Sequence, residues 1–189
     1  MDSAVLRSRP VLLLIAGALS VNLVLGSTFA VLHRTKDLRG TAVEAPAHPL
    51  TDEQSREQVM TTARQFLAAG RIRGATGSYI LMPCREDDDP LYQGSMYLNF
   101  DLPPIREIPA FFREIARRLS GSGWREGVPP GRHPGGKVLA REGVAAVYYR
   151  HPDIAGRGVL QVYGQCGNTA DHRLDSTGFV DVSRDLYRR

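Results

Sequence analysis

The chain has 189 residues, of which 42% are hydrophobic and 23% charged, with a formal net charge of +4. This composition fits a globular chain and excludes a disordered or collagen-like one. Lys36 and Lys137 are the only lysines among the 24 basic residues, and the arginines are scattered among acids. Nucleic acid is therefore excluded as an expected partner, because phosphate binding needs grouped charge.

Residues 1–10 read as a short N-terminal tail. Residues 11–32, VLLLIAGALSVNLVLGSTFAVL, carry no formal charge. As a helix they span about 33 Å, close to the hydrocarbon thickness of a bilayer. The run is longer than the apolar region of a signal peptide, which favours a transmembrane helix or uncleaved signal anchor. A cleaved signal and a buried soluble helix are the alternatives. No cysteine precedes Cys84, and Thr28 stands where a lipid-bearing cysteine would follow Leu25-Gly26-Ser27. Lipid attachment of that kind is accordingly excluded. Arg7 and Arg9 precede the segment and Arg34, Lys36 and Arg39 follow it, so the flanking charge does not orient it. Ala18, Asn22, Gly26 and Ala30 recur every fourth residue. On a helix they form one stripe, suited to a homo-oligomer through the membrane helix or to another membrane protein. Chance spacing of small residues is the competing reading.

Residues 33–50 contain Gly40, Pro46 and Pro49 without apolar periodicity and read as a linker. Thr51 with Gln54 matches a capping box. Val59, Met60, Ala63, Phe66 and Leu67 follow at helical spacing, predicting a helix over 52–69 with Gly70 as its stop. SYILMPC (78–84) and QGSMYLNF (93–100) read as strands about a turn containing Glu86-Asp87-Asp88-Asp89 and Pro90. A second helix is predicted over 106–121, with Ile108, Phe112, Ile115, Ala116 and Leu119 on one face. The loop 127–136 leads to strands at 137–141, 144–150 and 158–166, the first two joined tightly at Glu142-Gly143. Residues 171–189 read as a polar C-terminal tail in which Phe179, Val180 and Val182 are the only material for a further strand.

The order helix, strand, strand thus occurs twice. It predicts an α+β domain over 51–170: a two-layer sandwich, with an antiparallel sheet and two helices on one face.

Cys84 and Cys166 are the only cysteines, and each closes a predicted strand. With a hydrophobic leader upstream, they favour a disulfide, and hence an oxidising compartment outside the cytoplasm. Two free buried thiols are the alternative. A redox enzyme would carry Cys-x-x-Cys at a helix start, and none is present.

No other chemistry stands out. The four consecutive acids 86–89 diverge in direction and lack the alternate spacing of a calcium loop. His33, His48, His133, His151 and His172 show no trustworthy ligand spacing; Cys166 with His172 is the nearest pair. Gly135-Gly136-Lys137 and Gly156-Arg157-Gly158 lack nucleotide-loop spacing, and no Gly-x-Ser-x-Gly occurs. No cofactor or catalytic residue is expected. Tyr79, Tyr97, Tyr148, Tyr149 and Tyr163 lie in predicted strands. Core packing is expected for most, but an open sheet face would turn some into a binding patch. Tyr148 and Tyr149, as neighbours, must face opposite sides.

On SYILMPC, GSGWR and VYGQC, residues 52–170 resemble small exported proteins of actinobacteria, including the LppA-like lipoproteins of mycobacteria. The chain departs from them in lacking the lipid-attachment cysteine. The resemblance implies an envelope location and no particular chemistry. The expectation is a single-pass, membrane-anchored extracytoplasmic domain acting as a non-enzymatic protein-interaction module. A carrier of a small or lipid ligand, between helices and sheet, is the second reading. An enzyme of unrecognised type is the third.

Overall fold

A computed structural model describes residues 49–84, 91–128, 133, 135–175 and 178–188. The segment 11–32 with Ala18, Asn22, Gly26 and Ala30, the linker before Pro49, and the acidic turn 86–89 lie outside the described residues. Among the described residues no helix is long and apolar enough to cross a membrane.

Helix α1, Asp52–Gly70, opens on the capping box expected for it: Gln54 N–H donates to Thr51 Oγ1, and Thr51 N–H to Gln54 Oε1. The five periodic residues from Val59 to Leu67 are all buried. Its end differs from expectation. Gly70 is the last helical residue, and Arg71 takes the left-handed conformation that caps the helix. Gly70 is needed for space, since a Cβ there would press on the side chains of Ile72 and Ile115. Helix α2, Ile108–Ser120, buries the five residues its periodicity marks.

Seven strands form one antiparallel sheet: β1 (Thr76–Pro83), β2 (Tyr92–Asp101), β3 (Arg125–Glu126), β4 (Lys137–Arg141), β5 (Val144–Arg150), β6 (Arg157–Tyr163) and β7 (Val180–Asp181). Their order is β3-β4-β5-β6-β2-β1-β7. The hairpins β1–β2 and β5–β6 meet through the antiparallel β2–β6 pair at the centre. Glu142 and Gly143 both have positive φ, the conformation a two-residue hairpin turn requires between β4 and β5.

Both helices lie on one face of the sheet. Phe66 of α1 and Phe112 of α2 pack edge-on against Tyr148 of β5, at 4.9 and 5.2 Å between ring centroids. The Tyr148 hydroxyl donates to the Phe112 carbonyl at 3.2 Å. Met96, Leu98 and Phe100 of β2 and Leu160 and Val162 of β6 complete this core.

Three details depart from the sequence reading. β3 was not expected, because two residues cannot show a period. It forms where the chain leaves buried Trp124, pairing Arg125 with Ala140 and Glu126 with Leu139. β6 ends at Tyr163, not 166, because Gly164 turns back to bond the Gly94 carbonyl. The segment expected as a polar tail contributes β7 and a 3-10 turn, Asp185–Tyr187. Two apolar side chains, Val182 and Leu186, anchor it in the core, and Tyr187 Oη accepts from Ala75 N–H at 2.6 Å.

Candidate functional site

The alternation in QGSMYLNF separates two kinds of side chain. Met96, Leu98 and Phe100 go under the helices, leaving Gln93, Ser95, Tyr97 and Asn99 on the other face. The register carries this second face across the sheet: Ser78 pairs with Tyr97, Tyr97 with Gln161, Gln161 with Val147, and Val147 with Val138. Short of the Asp101–Arg157 end, this face of β1, β2, β6, β5 and β4 is built from Ser, Thr, Asn, Gln, Tyr, Met and aliphatic residues. Among the described strand residues, charge on this face stands at its margin: Arg125 on β3, Asp181 on β7, and the Asp101–Arg157 ion pair at one end of β2 and β6.

The strand tyrosines divide by the same rule. Tyr79 and Tyr148 are buried on the helix side. Tyr97, Tyr149 and Tyr163 lie on the open side. Tyr149 is itself covered, its ring stacked flat on His133 at 3.5 Å. Burial raises its pKa, and so do Tyr97 and Tyr163, which places the three phenols within electrostatic reach of one another. Burial, then Asp153, likewise raises Tyr97. Tyr163 Oη donates to Gln161 Oε1 at 3.0 Å. Asn99 Oδ1 is screened from solvent and accepts no hydrogen bond. Such an atom is uncommon in a native fold.

At the opposite end from the Asp101–Arg157 pair, Cys84 and Cys166 are disulfide-bonded, with Cα atoms 6.0 Å apart. They follow β1 and β6, which flank β2, so the bond straddles the start of β2. Cys84 N–H donates to Leu91 O, and Tyr92 N–H to Asn168 O, closing this end with backbone bonds.

The remaining candidates are placed as follows. His151 Nδ1 accepts the amides of Asp153 and Ile154 and shapes the β5–β6 turn. The Cys166–His172 pair is no ligand set, because Cys166 is in the disulfide and His172 contacts Asp52 and Asp175. Among the described residues no three His, Cys, Asp or Glu side chains gather to hold a metal. His33, His48 and the acids 86–89 lie outside the described residues. Two clefts of about 330 and 320 Å³ flank α1; both are open, with Glu57, Arg141 and Glu142 lining one and Arg56, Arg64 and Asp185 lining the other.

Gln93, Asn99 and Gln161 belong to no motif in the sequence, although the period of two in the strands carried them. Asp52, Asn168 and His172, brought together at the disulfide end, carried no such signal, being more than 100 residues apart across the contact.

Fold and site define a small α+β domain stapled by one disulfide, with helices on one sheet face and an uncharged, tyrosine- and amide-bearing face left open. The chain belongs to the family described as "Putative lipoprotein LppJ", whose profile matches residues 51–185. Proteins of that name from Mycobacterium tuberculosis (strains CDC 1551 / Oshkosh and ATCC 25618 / H37Rv) and Mycobacterium bovis (strain ATCC BAA-935 / AF2122/97) are each 33% identical over 129 residues. The match covers 68% of this chain and 67% of each relative. It agrees with the resemblance of residues 52–170 to mycobacterial lipoproteins. No solved structure matches the chain.

Proposed function

We propose that this protein is a non-enzymatic protein-interaction module of the cell envelope, held at the membrane by residues 11–32, with its domain on the extracytoplasmic side and its open sheet face as the docking surface. The observation that carries this reading is the distribution of charge on that face. Protein interfaces have centres depleted in Asp, Glu and Lys and enriched in tyrosine, inside a polar rim. Here charge stands at the margin: Arg125 and Asp181 on the edge strands, and Asp101 and Arg157 at one end of β2 and β6. In a chain of net charge +4, such a face is the place where a second protein approaches without desolvating an ion.

The envelope location draws on the lipoprotein name of the relatives and on the disulfide, which belongs to oxidising compartments. In this reading the uncharged segment 11–32 takes the anchoring part that a lipid has in a lipoprotein. The carrier reading has less behind it: aromatic side chains fill the space between helices and sheet, and the clefts beside α1 are open and charged.

The test uses full-length protein in native membranes with a photocrosslinking residue at Tyr97, at Tyr163 or at Arg113 on the exposed side of α2. Specific capture of one protein from the two sheet positions, lost on Gln161→Arg, supports the reading. Equal capture from Arg113, or none from any position, refutes it. Capture of a second copy of this chain identifies the partner as self.

A further inference from the structure

His172 lies in the loop after β6, its side chain 9% exposed, with a carboxylate on each ring nitrogen. Nδ1 is 2.8 Å from Asp175 Oδ2, and Nε2 is 3.1 Å from Asp52 Oδ1. A neutral imidazole has one donor and one acceptor nitrogen, and an ionised carboxylate only accepts. Both contacts are satisfied only when the ring is the doubly protonated imidazolium.

The ring is also a fastening. Asp52 is the first residue of α1, and its Oδ1 takes a second donor, Asn168 Nδ2, at 2.6 Å. Asn168 is wholly buried, and its own oxygen accepts from Ala170 N–H. Gly167 O accepts from Leu50 N–H at 2.7 Å, and Gln165 N–H donates to Gln58 Oε1 at 2.6 Å. Loop 164–175 is therefore tied to the start of α1 and to Leu50, where the linker joins the domain.

We propose that His172 is a proton-operated clasp: with residue 166 fixed by the disulfide, its imidazolium holds residues 167–175 against the start of α1 and the domain end of the linker, and loss of its proton loosens that segment. The groups facing the ring are Asp52 from α1, Tyr92 from β2 with its ring edge-on at 4.9 Å, and Asp175 and Asp171 from its own loop. Arg173 is bound to Asp171 and holds that carboxyl down at about 2, so Asp171 stays ionised through the relevant range. Burial by itself pulls the His172 pKa down; the carboxylates of Asp175 and Asp52 more than reverse this and leave it above the ordinary histidine value. The sign follows. A pKa raised on folding adds stability that is complete below the unfolded value, near 6.5, and is lost as pH rises through the folded one. The clasp is closed in acid and opens toward alkali.

The test uses the full-length protein in detergent micelles, with two readouts between pH 5.5 and 9. Histidine carbon and nitrogen shifts give the His172 titration, and hydrogen exchange corrected for intrinsic rates gives the protection of 164–172. The wild type is expected to titrate above an ordinary histidine, and protection is expected to fall about ten-fold or more as it does. Asp175→Asn is expected to lower the midpoint. His172→Arg, which keeps the charge, is expected to retain protection at pH 9, and His172→Gln to be unprotected at all pH values. Titration of His172 at or below the ordinary value, or the same pH-dependent loss of protection in His172→Gln, overturns the proposal.

Discussion

Gly94 on β2 lies directly beneath Ser55 on the first turns of α1: a Cβ on Gly94 would collide with the Ser55 carbonyl. Helix and sheet backbones come close here, and Ser55 is wholly buried. Gly164, next to it, closes the same seam by donating its N–H to Gly94 O at 2.8 Å. The obstacle at Gly94 is backbone, which cannot rotate away. Gly94→Ala is therefore expected to cost about 2 kcal/mol. Gly164→Ala meets first the tip of the flexible Gln58 side chain and should cost less. Urea denaturation of both variants checks the order; an equal or reversed pair would refute the close-approach account.

The disulfide joins residues 82 apart in sequence. Restricting so long a loop in the unfolded chain is worth about 4.5 kcal/mol by chain-entropy arithmetic, an upper figure. Cys84→Ser with Cys166→Ser is expected to lower stability by about 2–4 kcal/mol, and reduction of the wild type to do the same. Thermal unfolding with and without reductant measures it. Labelling of two thiols in the unreduced native protein would contradict the bond.

Two buried tyrosines should respond in opposite ways to losing their hydroxyls. Tyr148 Oη bonds the Phe112 carbonyl, so Tyr148→Phe is expected to destabilise by about 1 kcal/mol. Tyr79 Oη is buried without a partner, so Tyr79→Phe is expected to be neutral or stabilising. Equilibrium unfolding of the pair decides. Equal losses would show that Tyr79 Oη has a partner after all.

The same residues set the alkaline limit of the fold. Burial, with Asp52 next in effect, raises Tyr79 to about 12, and burial raises Tyr148 further. The unfolded chain loses these protons near pH 10. The native state then holds more protons than the unfolded state, and stability falls as pH rises above 10. Tyr79→Phe is expected to flatten the part of this fall between pH 10 and about 12. Spectrophotometric titration near 295 nm, beside unfolding measured at each pH, tests it; ordinary ionisation of both phenols in the native state would remove the basis.

Much of the scaffold was legible before any coordinates. Periodicity marked the apolar buried residues of both helices, though not the buried Ser55 and Thr62 of α1, because an amphipathic helix writes its burial into a spacing of three and four. Thr51 and Gln54 announced the first turn for a similar reason: a cap is a local hydrogen-bond pair. The antiparallel β4–β5 hairpin followed from Glu142-Gly143. β3 did not follow, and Phe179, Val180 and Val182 only hinted at β7, since two residues have no period and each strand forms only because a partner is already there. Gly70 was read as a stop from its type alone, whereas its absent Cβ makes room for Ile72 and Ile115.

The site divides along the same line. Sequence alone determined that Tyr148 and Tyr149 face opposite ways, and that the strand QGSMYLNF carries an uncharged face opposite its apolar one, because side-chain direction in a strand alternates locally. Only the tertiary structure decided that five such strands align with their uncharged sides together, with Arg125, Asp181 and the Asp101–Arg157 pair left at the margin, since strand order and register are long-range. It alone set His172 between Asp52 and Asp175 as well: a contact spanning 120 residues leaves no trace in local pattern, and the charge on that ring depends on both partners arriving.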